Sequence, residues 1–591
     1  MCGIIGKIGS DPVDRLVFER QRDTLVHRGP DGAGAWYACG DRVALGHRRL
    51  SIVDLSVAGQ QPMANEDGTL WLVFNGEIYN APPLRAELEA AGHRFGSRSD
   101  SEVLLHGYEE WGKRGLLHRL KGMFAFAIYD VRRRELFAAR DRFGIKPFVY
   151  THAGRAFSFA SELKALRADP AATFTVAPTA IADYFTYSYV PHPYTIFEEA
   201  KKLPPAHYLV FQQESGTLAQ ERYWSLPTGN DRPADHAAVA RFDELLYAAT
   251  DAHFLSDVPV GLFLSGGYDS GALALYAHQL HRFPTAYSLG FEGAARSEHA
   301  EAAAVAQQFG LDHHVEMLDP AADPLPALRD VYAYYDEPYA ATSLLTYHYV
   351  SAAAARTHKV VLAGDGGDEL LAGYGWHYAQ AQRYGGTGWK GLLKRLRVRL
   401  PGRFLADYNR RMMGARNHIF QQSFLAPRYR NLVRQRGLWY FAHHDRPELA
   451  VPRRTQWLDT HTFMLEACLM RADQSAMRHG LEVRVPFLDH ALFEYLFSLD
   501  PSVYFKPGIK KFLLYENIKR HLPGQVLNMP KRGFSYRYLE RLLSPATEAL
   551  LRGGRAVVGG YVLPGLEMSE LHPRLKLHWL MLELWLEQHQ V

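Results

Sequence analysis

The sequence predicts two domains of different class, an α+β layered unit followed by a doubly wound α/β unit. Three observations carry this expectation. The 591 residues are too many for a single hydrophobic core. Strand-like apolar runs crowd the first two hundred residues, and near the end of that stretch few long helical patterns separate them, which favours hairpins over parallel crossovers. From residue 258 onward strands and helices alternate, the texture of a parallel sheet covered on both faces.

Taken in order, strands are expected at 3–8, 70–74, 123–129, 135–139, 147–150 and 156–160, with helical patterns at 13–26, 83–91 and 102–111. Residues 201–208 and 221–226 flank a weakly patterned hairpin, and 227–234, rich in Gly, Pro and polar residues, marks a boundary. The expected division is 1–210 for the first domain, 211–234 for a linker and 235–591 for the second domain. An amphipathic helix over 235–254, with Asp235 as its N-cap, leads into the second domain. There, strands at 258–264, 285–291, 313–318 and 360–363 alternate with helices at 271–276, 297–309, 324–335 and 343–357. Amphipathic character at 575–586 predicts a terminal helix packed on the second domain.

Apolar content of 47% and charged content of 22% are those of an ordinary globular protein. A net charge of +4 over this length argues for neither nucleic acid nor a membrane surface as partner. Cys2, Cys39 and Cys468 are the only cysteines and form no C-x-x-C, so a reducing compartment is expected and a zinc or disulfide scaffold is not. No basic segment leading into a long apolar one opens the chain, and no apolar run reaches the length of a membrane span. Together these features point to a soluble, cytoplasmic protein. His313-His314 and His443-His444 lack metal-ligand spacing and read as structural. The basic stretch 385–436 (Lys390, Lys394, Arg395, Arg397, Arg399, Arg403, Arg410, Arg411) reads as a solvated helical insertion, with recognition of an acidic or polymeric acceptor as the alternative.

Chemistry enters at Cys2. Removal of the initiator Met would free its α-amino group, and that amine, with an ordinary pKa of about 8, can act as a general base beside the thiol. Only the thiolate attacks well, so the amine solves an activation problem. Alone, Cys2 reads better as a chance cysteine in a buried strand; its company decides otherwise. Asn75 and Gly76, in Asn75-Gly76-Glu77-Ile78-Tyr79-Asn80, follow an apolar strand and offer a side-chain amide and a backbone N–H for an oxyanion. Arg49, in His47-Arg48-Arg49-Leu50-Ser51-Ile52-Val53, offers a planar fork for a carboxylate. Asp100, in Ser99-Asp100-Ser101-Glu102, suits an α-ammonium group, while Ser101 or Asp100 caps the next helix.

Cys2-Gly3-Ile4, His27-Arg28-Gly29-Pro30-Asp31, Arg49-Leu50-Ser51-Ile52-Val53, Asn75-Gly76-Glu77 and Ser99-Asp100 together resemble the class II glutamine amidotransferase domain. The resemblance implies an N-terminal nucleophile (αββα) fold, two stacked antiparallel sheets covered by helices. It also implies hydrolysis of glutamine to glutamate and ammonia through a thioester on the cysteine. Carried over by position, Cys2 is the nucleophile, and Asn75 with Gly76 forms the oxyanion hole. Arg49 binds the glutamine carboxylate within the run Leu50, Ser51, Ile52 and Val53, and Glu77 and Asp100 bind its amino group. Residues 140–147 and 159–166 resemble further blocks of that family near its contact with a second domain, although a polar turn and a capped helix also account for them. Cys39 and Cys468 match no functional position and read as core thiols.

In the second half, Val260-Gly261-Leu262-Phe263-Leu264-Ser265-Gly266-Gly267-Tyr268-Asp269-Ser270 reads as strand, glycine turn and helix N-terminus, an anion site by its free N–H groups. It lacks the Gly-Lys-Ser/Thr of a Walker-type loop, and alone it reads equally as an ordinary βα turn. Gly364-Asp365-Gly366-Gly367-Asp368-Glu369 follows another short strand. Two such turns on neighbouring strand ends suit a polyphosphate and its Mg²⁺, with Asp269 and Asp368 on the cation. A plain surface loop is the alternative for the second.

The first of these turns resembles the pyrophosphate loop of ATP pyrophosphatases. The second resembles a signature of asparagine synthetases, as does Leu481-Glu482-Val483-Arg484-Val485-Pro486-Phe487-Leu488-Asp489. Lys531, in Pro530-Lys531-Arg532-Gly533-Phe534-Ser535, aligns with a family lysine that meets the pyrophosphate and the acyl-adenylate. The likeness implies an ATP-pyrophosphatase-like domain in which ATP adenylates a carboxylate and ammonia from Cys2 crosses an internal channel to displace AMP. Nucleotide contacts implied by position are Leu264, Ser265, Gly266, Gly267, Asp269, Ser270, Leu289, Ala363 and Gly364, with Leu264 and Leu289 flanking the adenine. Asp365 stands where the family usually has a Glu that acts around the acyl-adenylate. A homodimer is the family expectation.

Tyr268 replaces a usual Leu, Gly271 a Ser and Asp365 a Glu, and Arg471 stands where Lys is common. Tyr268 and Asp365 are expected to reshape the acceptor pocket. Aspartate is the leading acceptor. A carboxylate in a polysaccharide or natural product is the alternative, and a catalytically silent scaffold is a third reading, against which intact Cys2, Asn75, Asp269 and Asp368 count.

Overall fold

The computed structural model describes residues 2–229, 237–291, 298–341, 343–384, 402–412, 422–506, 508–528 and 541–590. Lys531, Asp235 and the basic residues Lys390 to Arg399 lie outside the described residues. The first half contains β1 (Cys2–Ile8), β2 (Gly32–Ala38), β3 (Val43–Arg49), β4 (Met63–Ala64), β5 (Leu70–Ile78), β6 (Gly122–Asp130), β7 (Glu135–Arg140), β8 (Val149–Ala153), β9 (Ala156–Ala160), β10 (Ala200–Lys202), β11 (His207–Gln212) and β12 (Leu218–Arg222). They form two six-stranded sheets, β10-β8-β9-β1-β3-β2 and β12-β11-β7-β6-β5-β4.

β1 shows why its sequence reads as almost unbroken apolar. Successive side chains of a strand point to opposite faces, and here both faces are covered. Ile4 and Ile8 enter the core between the sheets with Val73 and Ala127, while Ile5 packs on the outer side against Phe18 of the helix Arg15–Asp23. On the far face of the other sheet, Phe74 and Phe126 meet Leu104 and Leu105 of the helix Asp100–Arg119. The layers therefore run helix, sheet, sheet, helix, as the resemblance implies.

Four strands of this half escape the sequence pattern, the short β4 and β10 and the longer β2 and β3. β2 is rich in Gly and Ala, and β3 ends in His47-Arg48-Arg49, yet β3 pairs along β1 and sets Arg49 opposite Cys2. The hairpin β11–β12 extends the second sheet, so 211–222 sit in a sheet rather than in the expected linker. The next helix is described from Ala238, with Ala237 at its cap.

The second half builds β13 (Val260–Phe263), β14 (Ala286–Phe291), β15 (His313–Leu318), β16 (Val360–Leu362) and β17 (Glu482–Arg484) into one parallel sheet of order β15-β14-β13-β16-β17. The order reverses between β13 and β16, and a doubly wound sheet opens its ligand crevice at the carboxyl ends of such a pair. Both glycine-rich turns leave those two strands. β17, at one edge, is unexpected from sequence.

The helix Pro573–His589 is buried on nearly all sides rather than amphipathic. Tyr184 Oη donates to its His578 carbonyl at 2.7 Å and Arg329 pairs with Glu587 at 2.6 Å, so it packs on both halves of the chain. Among the described residues no helix is long and apolar enough to cross a membrane.

Candidate active sites

Cys2 begins β1 and Asn75 lies on β5 of the facing sheet. The Cys2 backbone nitrogen donates to Asn75 Oδ1 at 3.0 Å, and Asn75 Nδ2 is buried without a hydrogen-bond partner. Gly76 has φ +158°, and a Cβ there would stand 2.1 Å from the Met123 carbonyl oxygen, so only glycine fits. A small cavity of about 30 Å³ brings together Cys2, Arg49, Leu50, Ile52, Val53, Gly76, Glu77 and Asp100. Ser51 is not in its wall; its N–H is held by Asp31 at 2.8 Å. Arg49 donates to the Ser56 carbonyl at 2.8 Å and to that of Asp54, which fixes its fork at the cavity edge.

Burial dominates the electrostatics of this pocket. It pushes the Cys2 thiol up, against the pull of the chain's amino terminus, the Leu50 N–H and Arg49. It pushes Asp100 up to about 6, with the Ile78 N–H pulling the other way. Glu77 is raised well above the usual carboxylate range by burial and by Asp100, opposed by Arg484. Ser99, not Ser101 or Asp100, is the N-cap of the following helix, its Oγ accepting from the Ser101 N–H at 3.2 Å. Gln61 was not anticipated. It joins the wall and bridges the Phe74 N–H at 2.6 Å to Ser101 Oγ at 3.0 Å.

A cavity of about 460 Å³ opens at the carboxyl ends of β13 and β16. Leu264, Ser265, Asp269, Ser270, Leu289, Ala363, Gly364, Asp365 and Asp368 all line it; Gly266 and Gly267 are in the turn but not in the wall. Gly266 holds φ +74°, and a Cβ there would meet the Ala302 nitrogen at 2.8 Å, so the turn closes against the helix His299–Phe309. Asp269 and Asp368, from the two turns, share the ammonium of Lys511, which contacts Asp368 at 2.7 Å. Burial would lower Lys511, but the two carboxylates hold it above its ordinary value.

At the other end of the cavity Arg471 donates to Asp365 at 3.0 Å and to Ser343 Oγ at 2.5 Å, and stacks 4.6 Å over the Tyr347 ring. Tyr347 Oη donates to the second oxygen of Asp365. Arg471 Nε is buried without a hydrogen-bond partner. Cys468, expected to be only a core thiol, is in this wall beside Glu369, which burial and Asp368 push up to about 7. Tyr268 does not enter the pocket as expected. It points away to the Leu527 carbonyl, 2.7 Å from its hydroxyl, because its place at the start of the helix Tyr268–Gln279 aims it toward the segment Gly524–Leu527.

Comparison with known proteins gives these two cavities a family. A glutamine amidotransferase domain model matches residues 1–224 and an asparagine synthase model matches residues 241–587. Asparagine synthetase [glutamine-hydrolyzing] 1 of Bacillus subtilis (strain 168) is 31% identical over 564 residues, which cover 90% of this chain and 87% of that protein. The chain belongs to the glutamine-hydrolysing asparagine synthetase family. Asparagine synthetase [glutamine-hydrolyzing] 3 of the same bacterium is 32% identical over 556 residues, covering 90% of this chain and 86% of that protein. Amidase chry2 of Gibberella zeae is 28% identical over 584 residues, covering 88% and 84%. The family is one of ligases.

Within this asparagine synthetase fold the blocks at 140–147 and 159–166 do lie at the contact between halves. Arg28 donates to the Cys2 carbonyl at 3.2 Å, to Glu162 at 2.7 Å and to Asp473 at 2.8 Å. Asp473 sits two positions after Arg471 on the helix Met470–Met477, and Lys146 approaches it at 3.7 Å. A cavity of about 50 Å³ lies there, walled by Ile145 and Ser161 from one half and Glu466 and Asp473 from the other. Lys511, which joins Asp269 to Asp368, is not among the residues expected from sequence. Its only signal is the pair Lys510-Lys511 before an apolar helical run.

Proposed function

We propose that this protein amidates aspartate to asparagine, using glutamine as nitrogen donor and ATP as activator. The observation that carries the reading is one chain holding both a pocket walled by Cys2, Gly76, Glu77 and Asp100, with Asn75 bonded to the Cys2 nitrogen, and a cavity of about 460 Å³ that runs from Asp269 and Asp368 to Arg471. Glutamine would set its ammonium between Glu77 and Asp100 and its carboxylate at Arg49. The Cys2 thiolate adds to the side-chain amide, and its own α-amine takes the thiol proton and returns it to the departing ammonia. Asn75 Nδ2 and the Gly76 N–H hold the oxyanion, and water releases glutamate from the thioester.

In the larger cavity Leu264 and Leu289 flank the base, and Ser265, Ser270 and Gly364 face the phosphates, with Gly266 and Gly267 shaping the turn. Asp269 and Asp368 supply the hard oxygen donors that Mg²⁺ takes, and the Lys511 ammonium between them supports a site built for positive charge. The metal, when bound, neutralises phosphate charge. The acceptor's side-chain carboxylate attacks the α-phosphorus, pyrophosphate leaves, and ammonia then displaces AMP from the β-aspartyl adenylate. Lys531 is assigned to the pyrophosphate by resemblance alone. Arg471, with its unused Nε, suits the acceptor's α-carboxylate.

A second reading, the same chemistry on another carboxylate, is favoured by the engagement of Arg471 with Asp365, which leaves less of the guanidinium for a small amino acid. One assay tests both. Purified protein with glutamine, ATP, Mg²⁺ and aspartate is expected to form AMP, pyrophosphate and asparagine in step. Glutamine hydrolysis without aspartate-dependent pyrophosphate would select the second reading; no turnover of either kind would overturn both.

A further inference from the structure

The helix Asp100–Arg119 and the loop before it carry a cluster that neither reaction uses. His93 Nδ1 lies 3.2 Å from His106 Nδ1. Glu109 Oε2 lies 3.3 Å from His106 Nδ1 and 3.9 Å from His93 Nδ1. His106 and Glu109 are three apart and share one face of the helix, and His93 closes the triangle from the loop that follows the helix Ala81–Ala90. Three donor atoms therefore converge from two elements.

Their spacing is that of a metal's ligands. Bonds of about 2.0–2.1 Å to a tetrahedral Zn²⁺ put neighbouring donor atoms roughly 3.3 Å apart, and two of the three edges already match. The outward nitrogens are also arranged for it. His93 Nε2 lies 3.3 Å from Glu110 Oε2, and His106 Nε2, buried without a hydrogen-bond partner, lies 3.6 Å from Glu102 Oε1. A metal-bound imidazole gives its second N–H to a carboxylate in this way. Asn65 Nδ2 donates to Glu109 Oε1 at 2.8 Å, which leaves Oε2 facing the two rings. His106 is 1% exposed while the Glu109 side chain is 30% exposed, so the cluster is closed on its inner side and open to solvent at the carboxylate.

We propose that His93, His106 and Glu109 form a divalent transition-metal site, zinc by its donor set, that pins the loop before Asp100 to the helix that Asp100 begins. Sequence reading excluded zinc on cysteine spacing, and this site has no cysteine. The site is separate from the Asp269–Asp368 pair, since it offers imidazoles and lies in the other half of the chain.

The test is a zinc titration of full-length, untagged protein stripped of metal, against a chromophoric chelator, with metal content measured after desalting. One retained zinc per chain and a raised melting midpoint are expected, both unchanged in Cys2→Ser. His93→Ala and Glu109→Gln, each at a partly exposed position, are expected to weaken binding by at least about tenfold and to remove the thermal shift. Failure of the parent protein to retain zinc, or equal retention by both variants with their helical spectrum intact, would overturn the proposal and leave a plain hydrogen-bonded histidine pair.

Discussion

Glu77 and Arg484 meet at 2.9 Å across the two halves of the molecule. Glu77 lies in the glutamine pocket, and Arg484 ends β17, where its carbonyl accepts the N–H of Ala363 at 2.8 Å. Arg484 is fully buried and also holds Glu482 at 2.5 Å and the His253 carbonyl at 2.9 Å. One guanidinium thus joins the Cys2 cavity to the strand beside the turn 364–369. Arg484→Met leaves two buried carboxylates without this cation, a loss of about 3–5 kcal/mol. The variant is expected to lose that much unfolding free energy, with a lower urea midpoint, and to show a raised KM for glutamine. Equilibrium unfolding with glutaminase kinetics checks both, and a stable variant with parental KM would deny the pair its role.

Cys2→Ala separates the two sites. It removes the nucleophile but leaves β1 and its pairing with β3 unchanged. Glutamine-supported product is expected to vanish while free ammonia still supports it. Parallel assays with glutamine and with ammonium salt decide this. Loss of the ammonia-supported reaction in a folded variant would mean the two cavities are not independent engines.

Asp100 predicts a pH limb. Burial raises it from 3.8 to about 6, so the folded chain holds this proton more tightly than the unfolded one. Its contribution to stability is full below the unfolded value and is lost as pH rises through about 6. Glutamine binding runs the other way, because an α-ammonium needs the carboxylate charged. The KM for glutamine is expected to rise about tenfold per unit below pH 6. The KM for glutamine measured across pH 4.5–8, with the rise lost in Asp100→Asn, is the check; a flat parental KM would remove Asp100 from the binding set.

The legible parts of this fold were those whose chemistry is local. β1 and β13 announce themselves by apolar runs between turns, and Cys2, Asn75 and Asp269 by short motifs. β3 and β17 were hidden because His47-Arg48-Arg49 and Glu482-Val483-Arg484 look like solvated segments. Arg49 is buried against the Asp54 and Ser56 carbonyls of the loop that follows it, and Arg484 against Glu77, 407 positions away; neither kind of pairing leaves a periodic trace. Tyr268 was misjudged for a related reason. Its residue type is visible in sequence, but its direction depends on where a helix places it. Lys511 is the clearest case, since the Asp269 it contacts is 242 positions away.

That contact supplies the last prediction. Lys511 is 6% exposed, and its ammonium occupies the space between the two carboxylates proposed to hold Mg²⁺. Cation and ammonium compete for the same oxygens, so the lysine must leave them when the metal arrives, and the phosphates of ATP are the nearest new anions on this reading. Lys511→Met therefore has two opposite effects. Mg²⁺ alone is expected to stabilise the variant more than the parent, because nothing has to be displaced. Pyrophosphate release is expected to drop by roughly 10²–10³-fold, the usual cost of losing a positioned charge from a transition state. Glutamine hydrolysis at Cys2 is expected to be unchanged. Thermal shifts with Mg²⁺ and a pyrophosphate assay measure the two effects separately. If Mg²⁺ stabilises the variant while pyrophosphate release stays at the parental rate, Lys511 is only a counter-charge for the empty site.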